Sequence, residues 1–177
     1  IFAKIRRVKG VALSFVDAAS LRPRRYRDDV DQDGVRKRTE VRLDRPGPTL
    51  RMNWSVDDQK GEKEFTRQAE TVDLLSGLYW LRAAELRPGA ELCFDLFGNW
   101  RLWRLAGQVA DKPERVHTAA GDFETLRIDA RLTRADDPKL GRAMHLWIST
   151  DSRRLLVAAV SEVDLGPVRA MLVRASD

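Results

Sequence analysis

One segment of this chain, Thr71-Val72-Asp73-Leu74-Leu75-Ser76-Gly77-Leu78-Tyr79-Trp80-Leu81-Arg82, repeats its apolar residues at helical spacing, and it limits what the rest can fold into. Val72, Leu75, Leu78 and Tyr79 fall on one stripe and Leu74, Leu78 and Leu81 on an adjoining one. That apolar arc is wider than a surface helix needs, so the spacing predicts a largely buried helix over about 71–84. Thr71 is placed to cap its amino end by accepting a free backbone N–H. Asp73 and Arg82 sit where the helix dipole favours an anion and a cation. Nearly everything else reads as strand, so a lone buried helix has to plug or clamp a curved sheet.

The strands follow in order. Phe2 to Val8 and Val11 to Asp17 alternate loosely around Lys9-Gly10, as a strand pair or one bulged strand. Arg24 to Val30 and Val35 to Asp44 flank Asp31-Gln32-Asp33-Gly34, and Asp-Gly suits a tight hairpin because the turn demands positive φ. Pro46-Gly47-Pro48 turns the chain into a strand from Thr49 to Val56, with Leu50, Met52 and Trp54 on one face. Asp57 to Gln68, anchored only by Phe65, reads as a solvated, mobile loop. After the helix and a turn at Arg87-Pro88-Gly89-Ala90 come strands from Glu91 to Phe97 and Trp100 to Val109, joined by Gly98-Asn99. Phe123 to Thr133, Arg142 to Ser149, Leu155 to Asp164 and Val168 to Ala175 complete the series. The expected fold is mainly β: an antiparallel meander of about ten strands, curled into a barrel or half-barrel, with one central buried helix. At 177 residues it is expected to be a single β-rich domain, 1–177.

Composition narrows the functional classes. No apolar run approaches the ~20 residues of a membrane-spanning helix. The first residue is Ile1 and no signal-like segment precedes it, so the expectation is a chain lacking its native N-terminal start. Cys93 is the one cysteine, which excludes an internal disulfide and multi-cysteine metal sites; between Leu92 and Phe94 it reads as a small buried apolar residue. The net charge of +5 comes from 32 basic and 27 acidic residues, and most of the basic ones are Arg. Arginine suits bidentate recognition of carboxylate or phosphate, although an excess this modest also serves solubility alone. With no RNA- or DNA-binding motif and no strong basic stripe, a nucleic-acid partner is not expected.

From the helix onward the motifs form an ordered set: Asp73-Leu74-Leu75-Ser76 with Leu78-Tyr79-Trp80-Leu81-Arg82, Pro88-Gly89, Thr118-Ala119-Ala120-Gly121-Asp122-Phe123, and Leu146-Trp147-Ile148-Ser149-Thr150-Asp151 with Arg153-Arg154. Leu21-Arg22-Pro23, Tyr26 and the Asp33-Gly34 hairpin add weaker matches. In order and spacing these residues resemble the bacterial family known as domain of unknown function 3108, over most of the chain from Val16 to the end. Leu155-Leu156 stands where that family has a proline. The resemblance implies a mostly β, exported protein of Gram-negative bacteria, periplasmic or outer-membrane associated, with no assigned reaction. Longer members begin with strands not found before Ile1.

Several residue sets invite a chemical role. Trp100-Arg101-Leu102-Trp103-Arg104 alternates so that each strand face carries a ring beside a guanidinium, a pairing suited to sugar stacking, acyl chains or cation–π packing. Asp73 and Ser76 form either a cleft-facing pair or a local helix-start contact, and Arg82 is either a ligand contact or the partner of a nearby acid. Asp29, Asp31, Asp33 and Glu40, with Gly34, fit the spacing of a calcium loop, but the flanks are not helical and Arg36, Lys37 and Arg38 bring cations into it. A hydrolase would join His145 to Asp151 and to Ser152 or Ser149, without a Gly-x-Ser-x-Gly elbow in support; a polar turn is the plainer reading. His117 lies near a turn. The leading expectation is a non-enzymatic cell-envelope protein with no cofactor and no metal, binding a lipid, glycan or envelope protein partner through Trp100, Arg101, Trp103, Arg104, Asp73 and Arg82. The alternative is the His145, Asp151 and Ser152 hydrolase.

Overall fold

In a computed structural model, described over residues 7–163 and 166–175, the chain forms thirteen strands and one helix. The first five strands are β1 (Val8–Val16), β2 (Pro23–Gln32), β3 (Val35–Arg42), β4 (Thr49–Val56) and β5 (Gln59–Thr66). They form an antiparallel sheet in sequence order. A short β6 (Thr71–Asp73) leads directly into α1 (Leu74–Ala83). Then follow β7 (Glu91–Gly98), β8 (Arg101–Val109), β9 (Glu114–Thr118), β10 (Gly121–Arg134), β11 (Gly141–Ser149), β12 (Leu156–Val163) and β13 (Gly166–Met171). The second sheet runs β13-β12-β11-β10-β8-β7-β6, with β9 as a short arm on β10. The mainly antiparallel β reading therefore stands, but among the described residues neither sheet closes into a barrel.

Turn chemistry places the hairpins. Asp33 and Gly34 both adopt positive φ, 57° and 87°, and close β2 onto β3 as Asp-Gly requires. Asn99 and Trp100 do the same at 48° and 60°. The β7–β8 turn thus sits one residue later than Gly98-Asn99, and Trp100 leaves the strand to stand in the turn. β1 is one continuous strand paired to β2 through Lys9 and Gly10, while residues 1–6 of the expected earlier strand, and Asp164, lie outside the described residues.

The expected loop at 57–68 is a strand, β5. Its outward Lys60, Glu62 and Glu64 are charged, and Arg51 meets Glu64 at 2.7 Å across the pair. Its inward positions are Gly61, Lys63 and the buried Phe65. A Cβ on Gly61 would lie 2.6 Å from the Trp54 ring, so glycine makes room for that ring to lie across the strand. Pairing to β4 and one buried phenylalanine hold a segment whose composition alone looks unstructured.

The helix is shorter and less enclosed than its sequence suggests. Thr71 to Asp73 pair in parallel with β7, Thr71 beside Asp95, and the cap is Asp73 rather than Thr71. The Asp73 carboxylate accepts from the backbone N–H of Leu75 at 2.9 Å and Ser76 at 3.0 Å, and Ser76 Oγ accepts from the Asp73 N–H at 3.0 Å, a reciprocal capping box. Ser76, Gly77 and Leu81 are buried, Leu75 and Leu78 are half-buried, and Leu74 and Tyr79 are 57% and 60% exposed. The helix therefore lies on the second sheet instead of filling a central space. Gly77 allows the close approach, since a Cβ there would sit 3.3 Å from Leu96.

The hairpin of β7 and β8 fills the curve of the first sheet. Phe97 and Leu102 pack with Tyr26, Val41, Leu43, Leu50, Met52 and Phe65, and Phe97 meets the rings of Tyr26 and Phe65 edge-on at 5.9 and 5.7 Å. The opposite face of the same strands carries Phe94, Leu96, Leu105 and Val109 into a second core with Leu81, Leu126, Ile128, Leu146 and Ile148. On the Phe97 face, Asp95 is buried and accepts from Arg104 Nε at 2.8 Å and from the backbone N–H of Gln68 at 2.8 Å. The bonds that Asp95 accepts from the backbone N–H groups of Gln68 and Ala69 hold the segment linking the two sheets against β7.

Candidate functional site

Alternation along β2 places Asp28, Val30 and Gln32 on the same face as Tyr26, above the part of the first sheet that the hairpin fills. The plug ends at Trp100, so this upper face stays open and forms one side of a cleft of about 820 Å3, within the ~300–1,000 Å3 typical of ligand sites. The other side comes from the second sheet: Arg101 and Trp103 of β8, Arg134 at the end of β10, Arg142 of β11 and Glu162 of β12. Trp100 lies at the junction, 5.4 Å from Trp54 between ring centroids. The Arg142 guanidinium stands 5.8 Å from the Trp103 ring centre. Arg134 is bound by both carboxylate oxygens of Asp136 at 2.8 Å, and Lys37 donates to Gln32 Oε1 at 3.0 Å.

Asp28 is the carboxylate on the floor of the cleft. Burial above all pushes its carboxyl above the ordinary range, against the hydrogen bond from Tyr26 Oη at 3.1 Å. Burial and then the Asp28 charge raise the Tyr26 phenol, so it remains a donor throughout the neutral range. A carboxyl whose folded pKa is raised contributes stability that is fully present below its unfolded value, 3.8, and is lost as pH rises through the folded value. Asp28→Asn is therefore expected to raise Tm at pH 7, by about 1–4 °C, and to match wild type at pH 3. A lower Tm at pH 7 would show that Asp28 is stabilised as the anion.

The structure brings together only part of the sequence-derived set. Trp100, Arg101 and Trp103 share the cleft, whereas Arg104 lies on the other face of β8, bound to Asp95. Asp73 is wholly buried; besides the cap it accepts from Ser76 Oγ at 2.8 Å and Ser14 Oγ at 2.6 Å, tying α1 to β1. Arg82 donates to the backbone carbonyls of Arg154 at 2.9 Å and Arg153 at 2.8 Å, and Arg154 returns a bond to Ala84 O, so these arginines hold the helix end to the β11–β12 turn. Cys93 is exposed rather than buried.

The calcium-like carboxylates turn outward to other partners. Asp29 is bound by Arg36 and Arg38, and the Arg36 bond above all holds its carboxyl down to about 2. Asp31 accepts from the Gly34 N–H, Asp33 from the Arg7 N–H, and Glu40 faces Arg27 at 3.4 Å. Nor is the hydrolase trio assembled. His145 Nδ1 meets Asp129 at 2.5 Å, across the β10–β11 pair, while Asp151 is engaged by Ser149 Oγ at 2.7 Å and by Arg153. His145 and Ser149 lie four residues apart on one strand, about 13 Å at the extended rise, with Asp151 and Ser152 farther on. Burial would raise Asp129, but bonds from His145 and Arg127 outweigh it and keep its carboxyl below the ordinary range. His117 pairs with Asp122 in an exposed hairpin at 2.6 Å.

Asp28, Lys37, Arg134, Arg142 and Glu162 escape sequence reasoning. For Asp28, Lys37 and Arg142 the one local signal is charge at an inward strand position, visible only once the register is known; Arg134 and Glu162 reach the cleft from strand ends.

Fold and site define an open, two-sheet antiparallel β protein with a polar, tryptophan-rimmed cleft between its sheets. The chain belongs to the family described as protein of unknown function (DUF3108), whose model matches residues 1–173. No curated protein and no solved structure matches it. Among the described residues no cluster of three side chains suits a metal ion, and no helix is long and apolar enough to cross a membrane.

Proposed function

We propose that the protein is a non-catalytic binding module of the cell envelope whose inter-sheet cleft takes a glycan. The observation that carries this reading is the conjunction, in one cleft, of the Trp100 and Trp103 rings with Asp28, Gln32, Lys37, Arg101 and Glu162. Aromatic rings stack on the apolar faces of sugar rings, and the carboxylate, amide, ammonium and guanidinium groups match hydroxyls and acidic substituents. An acyl chain fits less well, because it would strip water from these groups without replacing their hydrogen bonds. The envelope location is supported by the family resemblance alone. The hydrolase alternative lacks an assembled nucleophile and base.

Titration of tryptophan fluorescence with neutral and acidic oligosaccharides, beside anionic lipid vesicles, tests the reading. Saturable binding of an oligosaccharide is expected, with Trp103→Ala weakening it about tenfold or more, since loss of one stacking partner forfeits ~1 kcal/mol and its neighbouring contacts. Arg82→Ala, far from the cleft, is expected to leave affinity unchanged. Binding to vesicles alone, or a Trp103→Ala affinity equal to wild type, would overturn it.

A further inference from the structure

On the outer face of the first sheet, arginines are matched to acids. Arg38 meets Asp29 at 2.9 Å, Arg27 meets Glu40 at 3.4 Å and Arg51 meets Glu64 at 2.7 Å. The matching stops at the end of β3, where exposed Arg42 stands directly opposite Arg25 of β2. Like charges so placed destabilise a strand pair. Arg25 stacks on the Phe15 ring, its guanidinium 4.3 Å from the ring centre, and offers Arg42 no counter-charge. Arg45 follows in the connection to β4, exposed as well, and no carboxylate among the described residues pairs with either arginine. Asp44 lines a separate hollow on the other side of that connection. The connection itself is pinned: the Arg67 guanidinium donates to the carbonyls of Gly47 at 2.7 Å, of Leu43 at 3.2 Å and of Arg45, and the Arg67 N–H donates to Pro48 O at 2.8 Å. Arg45 thus projects from a fixed backbone. Arg42, Arg45 and Arg51 line a hollow of about 280 Å3 together with Thr49, Asn53 and Glu62. Its one carboxylate, Glu62, lies 3.8 Å from Arg51, so the charge of Arg42 and Arg45 stays unbalanced.

We infer that this hollow binds a phosphomonoester. A guanidinium is a planar fork of N–H donors with no acceptor of its own, and it grips an oxyanion through paired bonds. Three such forks offer more donors than the two oxygens of a carboxylate accept, whereas a phosphoryl group brings three strongly accepting oxygens. The Thr49 hydroxyl and the Asn53 amide add neutral donors at the rim. A bound phosphate supplies the negative charge that neither Arg25 nor Glu62 gives to Arg42 and Arg45. The hollow lies on the face of the sheet turned away from the cleft, so the inference goes beyond the glycan reading and does not depend on it.

Calorimetric titration of the full chain with inorganic phosphate, beside co-sedimentation with phosphatidylcholine vesicles with and without phosphatidic acid, tests the inference. Saturable binding is expected, with Arg42→Gln and Arg45→Gln each weakening it about tenfold or more through the loss of charge-assisted bonds. Lys112→Gln combined with Arg115→Gln removes two positive charges from exposed positions at β9, on the second sheet, and should leave affinity unchanged. Arg42→Gln also ends the opposition to Arg25, so its Tm without phosphate should equal or exceed that of wild type, which separates lost binding from lost folding. Binding of phosphatidic acid vesicles that requires Arg42 and Arg45 assigns the phosphate to a lipid headgroup, and binding of inorganic phosphate alone assigns it to a soluble ester. No binding of either probe overturns the inference, as does equal binding to phosphatidylcholine alone. So does binding insensitive to Arg42→Gln and Arg45→Gln, or weakened as much by the changes at Lys112 and Arg115.

Discussion

Phe97→Ala is expected to destabilise the protein by about 3–5 kcal/mol, the upper range for truncating a buried aromatic. Phe97 is fully buried at the tip of the hairpin that fills the first sheet, with Tyr26 and Phe65 edge-on against it. Those neighbours belong to strands β2 and β5, tied into their own sheet, and cannot collapse inward to close the void. Tm should fall by roughly 6–20 °C at about 2–4 °C per kcal/mol, and Phe97→Leu should retain much of the loss. The measurement is urea unfolding followed by circular dichroism. A cost under about 1 kcal/mol would mean that the hairpin does not organise the first sheet.

The second large effect is expected at Asp73. Asp73→Ala removes the acceptor of two backbone N–H groups and two serine hydroxyls in a fully buried setting. Unpaired buried donors cost ~1–3 kcal/mol each before relaxation, and the serine hydroxyls are free to rotate to other acceptors, so the net loss should be about 2–4 kcal/mol. Ser14→Ala should show a smaller part of it, because only the link from α1 to β1 is removed. Ligand affinity at the cleft should not change, since Asp73 has no place in its lining. Reduced affinity in Asp73→Ala at unchanged stability would return this carboxylate to a binding role.

These residues also show where legibility ends. The Asp33-Gly34 hairpin and the Thr49–Val56 strand were readable because the signal is local: positive φ for one, a two-residue alternation for the other. β5 was not, because charges alternating along an edge strand look like solvated loop until Trp54 is seen lying over Gly61. The helix motif identified a helix but misjudged its burial. Its apolar arc covers one sheet face and leaves Leu74 and Tyr79 outside, and periodicity reports the width of an arc without saying what lies against it. Of the proposed ligand contacts, Trp100, Arg101 and Trp103 share the cleft: the one-residue shift of the β7–β8 turn took Trp100 off the strand, while Arg104, on the alternate face of β8, is held by Asp95.

What the sequence by itself determined is a mainly β chain with one helix and most of its hairpins, since these follow from spacing within a few residues. Membership of its family was also legible there, through the order of its motifs. Only the tertiary structure decided that the sheets stay open, that a hairpin rather than the helix fills the first one, and that Asp28 faces Trp103 across a cleft. Those outcomes depend on contacts between residues far apart in sequence, whose partners no local pattern names.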